Sequence, residues 1–228
     1  MSVKPILFNT DMVKVILDGR KSCTRRCVKY KYSNTEMKIR TDKYGTRIVE
    51  IQKDIEGETF GKNPDGSTWH KLLGYIEPKA PYKKGDILYV RETWCDDRQF
   101  TKDDTPGQYF YKASSPDDLE PKWKPSIHMP KEAARIFLRV TNVRVERLQE
   151  MKDEDCEKEG LENFCKKCST LFSECDTCLN DGGIKEDFKE LWDSTIKKSD
   201  LATYGWDANP WVWVIEFERC EKPESEGN

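Results

Sequence analysis

The sequence predicts an α+β fold, a compact mixed β-barrel with helices packed outside it. Three observations lead there. Strand-like segments of unequal length recur along the chain, two or three helical patterns lie between them, and the longest strand pattern changes phase partway. A phase change of that kind marks a bulge or a bend at a barrel corner.

At 228 residues the chain can enclose a core as a single domain, 1–228, without covalent staples. Charged and hydrophobic residues each make up 36%, so the surface is strongly hydrated and the core leans on large side chains: seven Trp, nine Tyr and nine Phe. No apolar run approaches the roughly 20 residues of a membrane span, and Met1-Ser2-Val3-Lys4-Pro5 begins no signal-peptide core. A cytosolic protein with no membrane partner is expected.

Taken in order, residues 6–18 read as a short apolar segment and then a helix. Asn9 or Thr10 can cap it, Met12, Val15 and Ile16 share a face, and Gly19 ends it. Residues 28–80 read as an insert of one or two hairpins: Thr46 to Ile51 alternates like a strand, and Asn63-Pro64-Asp65-Gly66 is a turn. The lone His70 is more readily a packing or surface residue than a ligand. Gly85 to Trp94 is a turn followed by a buried strand with which Tyr109 to Lys112 can pair. Arg135 to Leu148 is the clearest long strand, with the phase change near Thr141-Asn142. An acidic segment, Gln149 to Glu162, suggests a short helix ending at Gly160. Phe188, Leu191, Trp192, Thr195 and Ile196 then recur at helical spacing. In the last strand, Trp211 to Glu218, Trp211, Trp213, Ile215 and Phe217 share one face and Val212 and Val214 the other, which suits a central strand.

Nine cysteines in a reducing compartment point to metal before disulfides, because four of them form two CxxC pairs: Cys165 with Cys168 and Cys175 with Cys178. Four thiolates at that spacing can close a tetrahedral shell around one structural Zn²⁺, organising an insert, 162–184, that is too polar to fold by burial. Redox-active thiols or two disulfides are the other readings. Cys23, Cys27, Cys95, Cys156 and Cys220 have no such spacing, and buried free thiols are expected there.

The stretch with the most chemistry is Gly19-Arg20-Lys21-Ser22-Cys23-Thr24-Arg25-Arg26, read as a basic loop after the first helix. Between Gly19 and Glu50 ten Lys or Arg face three acidic residues, a block able to attract phosphates although the net charge of the chain is −3. A merely solvated basic loop is the plain alternative.

Four ordered blocks together resemble the ASCH domain, particularly its phage and prophage-encoded members. They are Gly19-x-Lys21-x-x-Thr24-x-Arg26; Gly85 to Trp94; Ile127-His128-Met129-Pro130 with the strand that follows; and Tyr204-Gly205-Trp206-Asp207-Ala208-Asn209-Pro210-Trp211-Val212-Trp213. The resemblance implies a PUA-like barrel, related to RNA-binding domains, with a cleft beside its signature. Thr24 stands where the general signature has Glu. A bacterial branch that hydrolyses N4-acetylcytidine also carries Lys-x-x-Thr, with a Glu from further along the chain, and Glu159 is the positional match.

The resemblance therefore implies Lys21, Thr24 and Glu159 as catalytic residues. A Lys whose charge is disfavoured by burial and by Arg25 and Arg26 can take the proton of a Thr hydroxyl for amide hydrolysis. Arg20, Arg25 and Arg26 would contact substrate, Arg26 by holding a phosphate or a developing oxyanion, and Trp206 would offer an exposed stacking face. The expected partners are a nucleoside, RNA or single-stranded nucleic acid. The same atoms also suit a non-catalytic RNA or single-stranded DNA binding module, and ribonuclease action is described in the family. Bacterial host cytosol is the expected compartment for a phage-encoded member.

Overall fold

The computed structural model of the chain describes residues 2–31, 35–42, 45–52, 61–62, 68–69, 77–96, 109–116, 121–163, 171 and 183–223. The elements in order are β1 (Val3–Leu7), α1 (Thr10–Leu17), β2 (Cys23–Cys27), β3 (Thr35–Asp42), β4 (Gly45–Gln52), β5 (Gly61–Lys62), β6 (Thr68–Trp69), β7 (Ile87–Arg91), β8 (Trp94–Asp96), β9 (Tyr109–Tyr111), β10 (Phe137–Arg147), α2 (Asp153–Lys158), α3 (Ile184–Thr195), α4 (Leu201–Tyr204) and β11 (Trp211–Cys220). The fold is α+β.

The principal sheet has five strands in the order β1-β7-β10-β11-β2, parallel between β1 and β7 and antiparallel elsewhere. The expected closed barrel is corrected here: among the described residues β1 and β2 are two free edges, with no ladder between them. The chain passes from β1 to β2 through α1, whose Val13 and Ile16 are buried in one cluster with Leu88, Leu138, Ile215 and Phe217. The helix thus covers that face of the sheet. The two edges are joined by a side chain instead: Arg26 of β2 donates from Nη2 to the carbonyl of Leu7 at the end of β1, at 3.0 Å. Its guanidinium lies 5.4 Å from the centre of the Phe8 ring.

Other elements follow their local signals. The side chain of Asn9 accepts from the N–H of Met12 and caps α1, and Gly19 turns the chain with φ of 76°. Val13 takes the buried position that was expected of Val15. In β10 the register against β11 shifts between Val140 and Asn142, so the phase change is a bulge within an open sheet. The alternation of β11 is realised on two covered faces: Ile215 and Phe217 pack in the α1 cluster, while Val212 and Val214 pack with Phe188 and Trp192 of α3. Each such fully buried aliphatic or aromatic side chain contributes about 1.5–3 kcal/mol of burial free energy.

The 28–80 segment holds the antiparallel pair β3–β4 and the short pair β5–β6, and Met37 and Ile48 of the first pair pack with Val28 against Trp211 and Trp213. The strand expected over Gly85 to Trp94 is broken after Arg91, and Tyr109–Tyr111 pairs with β8 in its own small sheet. No helix among the described residues is long and apolar enough to cross a membrane. His70 and the four CxxC cysteines lie outside the described residues.

Candidate functional site

The predicted basic loop is in large part an edge strand. Residues 23–27 pair with β11, Thr24 opposite Ile215 and Arg26 opposite Trp213. Period-2 alternation sends Thr24 and Arg26 to one face of the sheet and Cys23 and Arg25 to the other. Two cations of the patch expected from charge counting are internal: Lys21 and Arg25 are buried, and both are paired with carboxylates, while Arg20, Lys29, Lys31 and Lys38 are exposed.

Lys21 leaves the turn after α1 and meets the C-terminal end of α2. Its ammonium donates to the Glu159 carbonyl at 2.7 Å and to Glu159 Oε2 at 2.5 Å. The backbone is tied at the same place, since Ser22 N–H donates to the Lys158 carbonyl at 2.9 Å. Gly160 makes this approach possible. Its φ is 99°, and a Cβ there would lie 2.7 Å from Val15 Cγ2 on α1. Any side chain at 160 would push α2 away from the Lys21 turn.

Arg25 holds the other carboxylate oxygen, donating from Nη1 to Glu159 Oε1 at 3.2 Å. From Nε and Nη2 it donates to Glu146 Oε1, at 3.1 and 2.8 Å. Arg144 then pairs with Glu146 and Glu216, so one charge network runs from Lys21 to β10 and β11. Burial alone would lower the Arg25 pKa, but Glu159, the neighbouring Cys23 and Glu146 outweigh it and raise it. Arg25 stays charged and holds Glu159 Oε1 in place. The buried thiol of Cys23 beside it is pushed up to about 12, by burial first and by Glu159 second, so Cys23 is a neutral thiol and no nucleophile at neutral pH.

Lys21, Thr24 and Glu159 line one cleft of about 70 Å³ together with Arg25 and Arg26. Its other walls are Phe8, Asn9 and Met12 on one side and Phe188, Leu191, Trp192 and Thr195 of α3 on the other. The space is small beside the roughly 300–1,000 Å³ of small-molecule sites, and it suits a small acyl group. The Thr24 side chain is buried beside this pair. The arrangement offers a hydroxyl, an ammonium paired to a carboxylate, and apolar wall residues in Phe8, Met12, Phe188, Leu191 and Trp192.

Two expected contact residues stand elsewhere. Arg20 is at the surface, paired with Asp18 and Glu162, each at 3.2 Å. Trp206 is half-buried and packs edge-on against Phe188 at 6.0 Å between ring centres, so it supports the cleft wall from behind. Residues not singled out from sequence are Glu146 and Arg144, which share a face of β10, and Phe8, Leu191 and Thr195 in the walls. Arg144 and Glu146 at i, i+2 in the alternating second half of β10 were the available signal for the first two.

Among the described residues no group of three or more His, Cys, Asp or Glu side chains is arranged to hold a metal ion. Comparison with protein-family models, with curated proteins and with solved structures finds no match.

Proposed function

We propose that the protein recognises a nucleobase and hydrolyses a small N-acyl amide on it, with N4-acylated cytidine as the substrate class. The observation that carries this reading is the meeting of Lys21, Thr24 and Glu159 in one narrow, apolar-walled cleft. The likeness of the Gly19 to Arg26 stretch to ASCH proteins, and of the chain to a PUA-like fold, belongs to the same proposal.

In this mechanism Glu159 Oε2 takes a proton from Lys21 Nζ, which becomes the base. Thr24 Oγ attacks the acyl carbon and passes its proton to Nζ as the Oγ–C bond forms. The positive field of Arg26 stabilises the oxyanion; two of its nitrogens are held by the Arg25 and Leu7 carbonyls, so its position is fixed beforehand. The C–N bond then breaks, and the departing amine receives the proton from Nζ. Water attacks the Thr24 ester, Lys21 takes the water proton, and the ester C–Oγ bond breaks as Oγ regains that proton from Nζ; Glu159 then returns its proton to Nζ and the starting pair is restored. The products are the free cytosine amine and the carboxylic acid.

The test is release of cytidine from N4-acetylcytidine by the purified protein. Turnover is expected, with its loss in Lys21→Ala and in Thr24→Val. No turnover together with salt-sensitive RNA binding would overturn the hydrolase in favour of a non-catalytic binding module. Ribonuclease action gains no support from the cleft, because among the described residues no histidine lines it and His128 is exposed elsewhere. The proposed structural Zn²⁺ of Cys165, Cys168, Cys175 and Cys178 takes no part in these steps.

A further inference from the structure

A second and larger cavity, of about 550 Å³, lies on the other side of Arg26. It is in the size range of small-molecule sites, whereas the Lys21 cleft is far below it. Arg26 is the residue common to the two linings among the described residues. The floor of the larger basin is rigid and aromatic. Trp213 sits on β11 directly opposite Arg26, and the Tyr82 ring is anchored by its hydroxyl, which donates to the Pro5 carbonyl at 2.8 Å. Its rim is cationic: Lys29 and Lys79 are exposed, the Lys29 ammonium lying 3.8 Å from the centre of the Tyr204 ring, a contact it would exchange for an anion in the basin.

Two carboxylates also line the basin, and both are engaged with the protein. Glu50 accepts from the Lys31 N–H and from the Thr35 hydroxyl, and Glu77 pairs with Arg47. The lining thus presents a flat apolar surface for a ring and ammonium groups for an anion.

We infer that this basin, assigned to nothing by the cleft chemistry, binds a phosphate-bearing nucleotide, with the base on Trp213 and the phosphate on Lys29 and Lys79. Stacking on an aromatic face is tolerant of base identity, while the phosphate contact distinguishes a nucleotide from a nucleoside. The orientation, with the exocyclic acyl group passing Arg26 toward Thr24, rests on the hydrolase reading. Occupation of the basin does not.

The experiment is calorimetric titration of the full chain with cytidine 5′-monophosphate, cytidine and a short oligocytidylate, repeated with Lys29→Gln, Lys79→Gln and the double variant. The monophosphate is expected to bind more tightly than cytidine, and the double variant to weaken it about tenfold or more while leaving cytidine unchanged, since each charge-assisted bond lost corresponds to about that factor. Equal binding of the monophosphate and cytidine, or no change in the lysine variants, overturns the inference. Lysine dependence in the oligocytidylate alone also overturns it, pointing to a strand-binding surface, and lysine dependence in the monophosphate upholds it. Turnover separates the two proposals: an inert protein that keeps lysine-dependent nucleotide binding removes the hydrolase and leaves the basin, and an active one without that binding does the reverse.

Discussion

Lys21 and Glu159 are 138 residues apart in sequence and joined in the interior by a 2.5 Å bond from ammonium to carboxylate. Both side chains are almost fully shielded from water, at 1% and 6% exposure. A pair of that kind is held in place by everything that would be left uncompensated if one member were removed.

Glu159→Gln is therefore expected to destabilise the fold by roughly 3–5 kcal/mol, the cost of breaking a buried pair, because Arg25 loses the same partner. Urea unfolding measures it. The double variant Lys21→Met with Glu159→Gln should recover part of the loss, since no unpaired ammonium is then buried. A double variant less stable than the sum of the two single changes would contradict the pairing.

How much of this was legible in the sequence depends on the range of the interaction. The cap at Asn9, the bulge at Thr141 and the two-faced alternation of Trp211 to Phe217 are local, and each was readable from neighbours within a few residues. Sheet closure was not: it turns on whether β1 meets β2, and there α1 and the Arg26 side chain take the place of a ladder. The burial of the basic stretch was hidden for a related reason. Its cations stand together in the chain, but the carboxylates that neutralise Arg25 come from Glu146 and Glu159, 121 and 134 residues away. Glu159 was reached through the family resemblance, since its acidic neighbourhood carries no local mark. Trp206 stands in a glycine-containing loop beside Asp207 and Asn209, a setting that suggests exposure, whereas Phe188 gives it an edge to pack on.

Gly160→Ala should cost roughly 2 kcal/mol, in the range of a non-glycine residue held at strained φ. Two sources act together, the φ of 99° and the 2.7 Å approach of the new Cβ to Val15 Cγ2. Adding Val15→Ala relieves the second and leaves the first, so the double variant is expected to be intermediate in thermal denaturation. Because Lys21 bonds to the adjacent Glu159 carbonyl, turnover should fall in Gly160→Ala even at temperatures where the protein is folded.

The CxxC pairs lead to a metal prediction that does not depend on the cleft. Elemental analysis of protein purified without added metal should find about one zinc per chain, the stoichiometry of a closed four-thiolate shell. Cys175→Ser with Cys178→Ser should abolish it. A metal-free protein with four freely titratable thiols at Cys165, Cys168, Cys175 and Cys178 would refute the zinc reading.

Cys23 and Cys156 make stability fall at alkaline pH. Burial pushes both thiols up to about 12, with Glu159 adding to the shift at Cys23 and Asp153 at Cys156. In the unfolded chain they ionise near their ordinary value of 9.0. Below that value neither state has lost a proton and the stabilisation is fully present. Above it the unfolded state releases protons that the folded state retains, so stability is lost as pH rises toward the folded value. The slope is about 1.4 kcal/mol per pH unit for each thiol. Cys27, Cys95 and Cys220 shift in the same direction, and other groups titrate nearby, so the informative quantity is a difference. Cys23→Ala with Cys156→Ala should have a shallower decline of unfolding free energy between about pH 9 and pH 11 than the native protein. The cavities left by the two alanines lower the whole curve without changing its slope, and parallel curves would show that these thiols are not the ones held neutral.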